Sequence, residues 1–248
     1  MYDLQKADMW KRISAALFDL ILLSIIVMGS ALLMSGALGY DGYVEKMDAK
    51  RKDYEVEYGL SFDITSDEYA ALPSDIKAVY DEAYDAFGKD EEAIELQNAM
   101  FQSSIIIVIS SISIGYVVLE FIVPLILKNG QTLGKKVFGI GVRRSDGVRV
   151  TPVLMFARTV LGKCAVETLI PALTVIMVLF GIMGILGTIL IIGILIAQII
   201  LMIVTKTNSP IHDLLAQTVT VDFASQMIFD TPDDLLEYKK RMHSEKVI

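Results

Sequence analysis

The sequence predicts an all-α membrane protein with about four transmembrane helices, and two observations lead to this fold class. The first is composition: 54% of the residues are hydrophobic and the mean hydropathy is +0.54, above the usual range of soluble domains. The second is distribution, because the apolar residues form three long blocks, 13–39, 103–127 and 164–204. Each block is at least as long as the run of about 20 apolar residues that spans a bilayer. A lipid bilayer is therefore the first predicted partner.

The number of spans depends on how the third block is divided. Residues 13–39 and 103–127 each suit one helix, whereas residues 164–204 would form a helix of about 61 Å, twice the thickness of a bilayer core. The glycines between Gly181 and Gly187 suit a turn that divides this block into two shorter helices. We therefore expect four spans. Three spans with an external C-terminal tail are the alternative.

The segments outside the spans differ in charge, which predicts their side of the membrane. Residues 41–97 carry 17 acidic and 6 basic residues, whereas residues 128–150 carry 6 basic residues and one acidic residue. The positive-inside rule places the basic segment, and with it the N-terminus, in the cytoplasm. The predicted regions are the N-terminus with the first helix (1–40), an acidic helical extracytoplasmic insertion (41–98), the second helix (99–127), a basic cytoplasmic loop or hairpin (128–152), an interfacial amphipathic helix with a transmembrane hairpin (153–205) and a cytoplasmic tail (206–248).

Local patterns predict the form of three of these regions. Residues 74–88 repeat apolar and tyrosine side chains at helical spacing, which is typical of an amphipathic helix capped by Ser74. The pair Asp146-Gly147 between β-branched residues suits the turn of a short hairpin. Residues 153–169 contain three charges that suit a helix at the membrane interface better than a span. These charges are Arg158, Lys163 and Glu167.

Two carboxylates lie inside the predicted membrane helices. Asp19 and Glu120 are each eight residues from the cytoplasmic end of their helix, which places both about 12 Å deep. Ionised side chains at such depths are costly, and they normally face protein or water and have a partner. One interpretation is a carboxyl that holds either a proton or a cation in a transporter, tuned by Arg12 and Arg158. The other is a structural ion pair of Arg158 with Asp19 or Glu120.

Other charged residues are candidates for supporting roles. Lys135 and Lys136, in the stretch GQTLGKK, are expected to reach anionic lipid headgroups. Lys163 and Glu167 are expected to have structural or gating roles. The stretch GQTLGKK lacks the spacing of a phosphate loop, so nucleotide binding is not expected. No residue pattern indicates a cofactor, a metal site or a surface for nucleic acid.

Four motifs follow one another along the chain: KRISAALFDL, GQTLGKKVFGIGV, DGVRVT and HDLLAQTVTV. Together they resemble the RDD family of small bacterial membrane proteins, which is named for one arginine and two aspartates. The resemblance assigns these three to Arg12, Asp19 and Asp213, and it gives Asp213 a structural or gating role in which it binds Arg12 or Arg158. It implies a multi-pass protein of the bacterial cytoplasmic membrane and a function in transport, including sodium–proton exchange.

Two function hypotheses follow. The first is an RDD-like protein that transports monovalent cations or protons along a path lined by Asp19 and Glu120. A homo-oligomer is expected in this case, because four spans enclose little volume. The alternative is a non-catalytic membrane partner or regulatory subunit that docks another protein through residues 45–95, whose tyrosines are typical of interfaces. An enzyme is not expected, because no paired histidines, Ser–Lys pair or metal constellation is present.

Overall fold

A computed structural model describes residues 5–128, 130–179, 183–227 and 229–245 of the chain, and it is helical apart from one small sheet. The helices of these residues are α1 (Met9–Leu38), α2 (Tyr40–Tyr58), α3 (Ser66–Ala71), α4 (Ser74–Lys89), α5 (Glu91–Leu127), α6 (Leu133–Val137), α7 (152–179), α8 (Gly184–Val204), α9 (Ile211–Leu215) and α10 (Pro232–Glu245). The strands are β1 (Ile140–Arg144) and β2 (Thr218–Asp222). Two helices contain π-helical segments, Val117–Ile122 in α5 and Ala157–Leu169 in α7.

Four of the described helices are long and apolar enough to cross a membrane: α1, α5, α7 and α8. Their apolar side chains are largely exposed, as at Leu33 (78%) and Ile185 (76%), which is the arrangement expected where lipid is the solvent. The predicted fold class is therefore confirmed. The division of the third block falls just before Gly184, where α8 begins. The rest of the predicted turn includes residues 180–182, which lie outside the described residues.

The small sheet settles the number of spans. β1 pairs with β2 in antiparallel register, and the N-terminal segment adds a bridge from Lys6 to Val221. The three paired segments must lie on one side of a membrane, so an even number of helices has to cross between any two of them. α1 and α5 precede β1, and α7 and α8 lie between β1 and β2. The three-span alternative is wrong, because it would place the two strands on opposite sides.

The predicted interfacial helix is not a separate element. Residues 152–179 form the single helix α7, and Pro152–Val178 qualifies as a span. Its charged side chains do not need the membrane surface, because each one has a partner inside the protein. These pairs are Arg158 with Asp213, Lys163 with Glu120, and Glu167 with His212.

The predicted hairpin is part of a longer-range arrangement. The chain does turn at the expected place, where the Gly147 N–H donates to the Arg144 carbonyl at 2.8 Å and Gly147 has a φ of 90°. The residues after the turn, however, give β1 only one bridge, from Arg143 to Arg149, and the main partner of β1 is β2. The predicted cytoplasmic tail therefore contributes a strand to the fold.

Residues 29–110 form a compact unit of their own, which contains the acidic segment. The predicted amphipathic helix is α4, although it starts at Ser74 itself, with Pro73 as the capping residue. Tyr80 is buried, and the ring of Tyr84 stacks on Phe62 with 4.8 Å between ring centroids. The stripe is therefore divided: Tyr80 packs inside the unit, whereas Ile76, Val79 and Tyr84 remain exposed, and docking through this segment stays a prediction.

The other unit, within residues 1–28 and 111–248, contains both π-helical segments. Each of them shortly precedes a proline. Pro124 has no N–H, and its ring would clash with the carbonyl four residues earlier, that of Glu120. The π-helical turn opens the helix there, and the Glu120 carbonyl instead accepts a hydrogen bond of 2.9 Å from the Thr159 hydroxyl. Pro171 follows the second segment, and the two segments contact each other.

Candidate functional site

Charged side chains from several helices of this unit meet in its interior. We call this group the buried charge cluster; its members are Arg12, Asp19, Glu120, Lys135, Arg158, Lys163, Glu167, His212 and Asp213. None of these side chains is more than 19% exposed. Every member except His212 is among the site residues predicted from the sequence. Excluding His212, the cluster contains four cations and four carboxylates, so its charges balance.

Lys135 lies between the two carboxylates that the sequence places inside the membrane. Its Nζ is 3.9 Å from Asp19 Oδ2 and 3.6 Å from Glu120 Oε2, and it donates a hydrogen bond of 3.2 Å to Thr132 Oγ1. The ammonium group therefore has three oxygens around it. Within the described residues Glu120 Oε2 makes no hydrogen bond, although it is buried. The two carboxylates thus share one cation, at distances that leave room for it to move.

Local chain geometry brings Asp19 to this position. The Gly134 N–H donates to Asp19 Oδ1 at 2.8 Å, and the Thr132 hydroxyl donates to Asp19 Oδ2. Thr132 is also the N-cap of α6, where its Oγ1 accepts the Lys135 N–H. A Cβ at position 134 would lie 2.9 Å from Asp19 Oδ1 and would collide with the Ala15 carbonyl. Glycine is therefore required for α6 to approach α1 this closely.

The π-helical form of α7 aligns its charged residues. In a regular α-helix, residues five apart such as Arg158 and Lys163 would point about 140° away from each other. A π-helical turn is wider and brings residues five apart onto one face. Lys163 accordingly reaches Glu120, with 2.5 Å between Nζ and Oε1, while Arg158 also points into the cluster.

Asp213 is the centre of a second group of contacts. Arg158 donates from Nε to Asp213 Oδ1 at 2.8 Å, and the Thr218 hydroxyl donates to the same oxygen at 2.7 Å. Arg12 lies 3.8 Å from Asp213 Oδ2. The structure thus shows Asp213 beside both arginines, as the resemblance implied. The predicted pairing of Arg158 with Asp19 or Glu120 is wrong, because Arg158 pairs with Asp213.

His212 is held by Glu167. Its ring Nδ1 lies 2.8 Å from Glu167 Oε2, and its backbone N–H donates to Glu167 Oε1 at 2.9 Å. Because Nδ1 lies within hydrogen-bond distance of a carboxylate whereas Nε2 is 3.9 Å from Asp213 Oδ2, the ring proton of the neutral form belongs on Nδ1. Gly162 lies against this histidine, where a Cβ would come within 2.6 Å of the His212 Cβ.

Burial and neighbouring charges shift the pKa values of the residues outside the spans. Burial lowers the pKa of Lys135 to about 8, although Glu120 opposes this shift. Burial also lowers the pKa of His212, and Arg158 adds to the effect, so the ring is neutral at pH 7. Burial would raise the pKa of Asp213, but the charge of Arg158 and the hydrogen bonds from Arg158 and Thr218 outweigh it, and the net pKa lies below its usual range. Lys135 is therefore the cluster member outside the spans whose charge changes near physiological pH.

A cavity of about 340 Å³ borders the cluster. Its wall includes Arg12, Asp19, Lys135, Lys163 and Asp213 together with apolar side chains of α1 and α8. Both groups of contacts, around Lys135 and around Asp213, therefore reach one cavity. Within the described part of the chain, no group of three or more His, Cys, Asp or Glu side chains could hold a metal ion.

One cluster residue lies in a different environment from the one that its sequence predicts. Lys135 is only 7% exposed and lies in the interior of the protein, not at the surface of the basic loop where contact with headgroups was expected; its neighbour Lys136 is exposed, and its headgroup role stays a prediction. The hydroxyls of Thr132 and Thr218 were not predicted to belong to the site, because threonines give no distinctive signal in a sequence. Pro124, four residues after Glu120, was a signal in the sequence that the helix opens at the Glu120 carbonyl.

The comparisons agree with this architecture. Residues 6–217 match the model of the RDD family, and the matched region includes Arg12, Asp19 and Asp213. No curated protein matches the chain significantly, and no solved structure does. Since the family model covers most of the chain and the structure has four membrane-spanning helices, this integral membrane protein belongs to the RDD family.

Proposed function

We propose that the protein exchanges protons for a monovalent cation at Lys135. The observation that carries the proposal is the environment of the Lys135 ammonium group, which has three oxygens around it, those of Asp19, Glu120 and Thr132. Carboxylate and hydroxyl oxygens are also the ligands that hard cations take in proteins. The same oxygens can therefore serve the protonated lysine or a bound cation.

Charge balance gives the exchange its stoichiometry. When Lys135 is protonated, the cluster is neutral. When the ammonium loses its proton to solvent, Asp19 and Glu120 lose the cation that lies between them, and the cluster is left with a net charge of −1 in a buried place. An uncompensated buried charge is strongly unfavourable. One monovalent cation bound between the two carboxylates restores neutrality, so one proton leaves for each cation that binds.

The cavity gives both the proton and the cation a route to Lys135 and Asp19. Asp19 and Lys135 line it, whereas Glu120 lies behind Lys135. A cation that enters from the cavity would meet Asp19 first and would reach Glu120 once the lysine side chain moves aside. The free oxygen Glu120 Oε2 is then available as a ligand.

The test is cation-driven proton movement in proteoliposomes. We expect the wild-type protein to alkalinise the lumen when sodium or potassium is added outside, because protons leave as the cation enters. A gradient in the opposite direction should acidify the lumen. Asp19→Asn and Glu120→Gln should each reduce the rate at least tenfold, because each removes half of the charge that holds the cation.

A matched control separates this effect from a general loss of ion pairs. Asp222→Asn also removes a carboxylate, from the exposed pair with Lys11, and it should leave the flux unchanged. Every variant must elute from a size-exclusion column like the wild type. Absence of sodium, potassium and proton flux in the wild type would overturn the proposal, and so would full activity in folded Asp19→Asn.

A further inference from the structure

Arg12 differs from the other cations of the cavity wall. Among the described residues its guanidinium makes only the 3.8 Å contact with Asp213 Oδ2. The other three cations each donate a hydrogen bond: Lys135 to Thr132, Arg158 to Asp213 and Lys163 to Glu120. A guanidinium carries five N–H donors in a planar fork that fits phosphate and carboxylate groups. Arg12 therefore has donors to offer to an anionic ligand.

The charge of the wall also favours an anion. The cavity is lined by four cations and by two carboxylates, Asp19 and Asp213, whereas Glu120 and Glu167 do not line it. While Lys135 is protonated, the surface that a ligand meets thus carries an excess of two positive charges; the excess falls to one in the deprotonated state in which the proposed exchange binds its cation. Clustered charge of one sign raises the local concentration of the opposite ion.

Part of the remaining wall is apolar, and this part continues into the exposed apolar surface of α1. Met9 and Ile13 of α1, and Met202 of α8, line the cavity. Met9 is 48% exposed and Ile13 is 38% exposed, so the same side chains also reach the outer surface of α1. A volume of about 340 Å³ lies within the range of small-ligand pockets. The wall therefore suits a ligand with both an anionic group and an apolar chain.

Basic residues surround the membrane ends of these two helices. Lys6 donates to Asn208 Oδ1 at 2.9 Å and approaches the Lys206 carbonyl at 3.4 Å, which joins the start of α1 to the segment after α8. Lys206 is exposed after α8, and Lys11 lies in the first turn of α1, although Lys11 is paired with Asp222 at 2.5 Å. Basic residues at the ends of membrane helices attract anionic headgroups. We propose that the cavity binds an anionic phospholipid, with its phosphate at Arg12 and part of an acyl chain against Met9, Ile13 and Met202.

Native mass spectrometry of the full-length protein in detergent tests this proposal. Phosphatidylglycerol is titrated against phosphatidylcholine, and glycerol 3-phosphate is added separately as a soluble phosphate ester. We expect the wild type to bind phosphatidylglycerol at least tenfold more tightly than phosphatidylcholine. Arg12→Gln should lose most of this preference, whereas Lys240→Gln, which removes an equal charge from an exposed site in α10 outside the cavity, should keep it.

A second variant covers the case in which Arg12→Gln fails to fold. Ala16 lines the cavity and is exposed, so Ala16→Phe fills the cavity without disturbing a buried contact, and it should weaken lipid binding to the same degree. Equal binding of the two lipids to the wild type would overturn the proposal, as would unchanged preference in either variant. Glycerol 3-phosphate binding as tight as the lipid would overturn the choice of a lipid as ligand. No flux is measured, so the outcome is independent of the proposed exchange.

Discussion

At the scale of single residues, the proposed exchange depends on one lysine that is buried between two acids. Burial of an ammonium group costs free energy, and only good contacts with anions offset that cost. The contacts of Lys135 with Asp19 and Glu120 are 3.9 and 3.6 Å, longer than a hydrogen-bonded ion pair. These long contacts offset the cost of burial only in part, so the pKa of Lys135 is lowered to about 8 and the lysine can lose its proton near neutral pH.

The lowered pKa of Lys135 predicts how cation binding depends on pH. Below a pKa of about 8 the lysine is protonated and competes with the cation; above it the neutral amine does not. The apparent affinity for sodium should therefore rise about tenfold per pH unit below pH 8 and level off above it, because only the deprotonated fraction is competent to bind. Isothermal titration at several pH values measures this. An affinity that falls with rising pH, or does not change, would contradict the role of Lys135.

Some of these residues could be identified from the sequence and others could not. A carboxylate inside an apolar block is conspicuous, so Asp19 and Glu120 were recognisable without a structure. The cation between them was not, because Lys135 stands in a basic loop whose lysines all resemble headgroup ligands. Lys135 is buried because Gly134 and Thr132 bring the loop against Asp19. Such a contact between residues distant in the chain leaves no periodic pattern in the sequence.

At the scale of the elements, the two π-helical segments decide which side chains meet. They place Glu120 and Lys163 opposite each other, and they create the contact of Thr159 with the Glu120 carbonyl. The long apolar helices were predictable from block length. The continuity of α7 was not, because its charges indicated an interfacial helix until their partners were known. The pairing of β1 with β2 was also not predicted, because two membrane-spanning helices separate the two strands in the sequence.

The contact between α7 and α9 gives a prediction about stability. In Gly162→Ala the new Cβ would come within 2.6 Å of the His212 Cβ, so α9 must shift and the protein should lose about 1–3 kcal/mol of stability. Gly193→Ala is the matched control, because nothing lies within 4 Å of its Cβ and alanine favours helices by about 1 kcal/mol. Thermal unfolding in detergent compares the two. Equal stability of both variants would show that the contact is not tight.

At the scale of the whole molecule, the family match and the four spans define a multi-pass membrane protein, and its orientation stays a prediction. The positive-inside rule places residues 128–150 in the cytoplasm. Two of the six basic residues in this segment, Lys135 and Arg143, are buried, so fewer charges than the sequence suggests face the solvent. The expected homo-oligomer also stays a prediction.

Cysteine labelling tests the orientation directly. The native Cys164 is buried, so a membrane-impermeant thiol reagent should not react with it. In intact cells we expect Ser66→Cys to be labelled, whereas Lys136→Cys should be labelled only after the membrane is permeabilised. The reverse pattern would contradict the predicted orientation while leaving the fold unchanged.

The acidic segment allows a test that separates the two function hypotheses. All members of the buried charge cluster belong to the unit within residues 1–28 and 111–248. Replacing residues 45–95 by a short flexible linker should therefore leave exchange within about twofold of wild type in proteoliposomes. If docking is the function, flux is absent from the start and the deletion abolishes capture of a partner. Loss of flux in a folded deletion variant would show that the acidic segment takes part in transport.

The most direct measurement is the number of protons released when a cation binds. Calorimetric titration of the wild type with sodium at pH 7, in two buffers of different ionisation enthalpy, gives this number. The proposed exchange predicts about 0.9 protons per cation, the protonated fraction of a lysine with a pKa of about 8. Lys135→Met should bind sodium with no proton released. Binding without proton release in the wild type, or unchanged release in Lys135→Met, would contradict the proposed exchange.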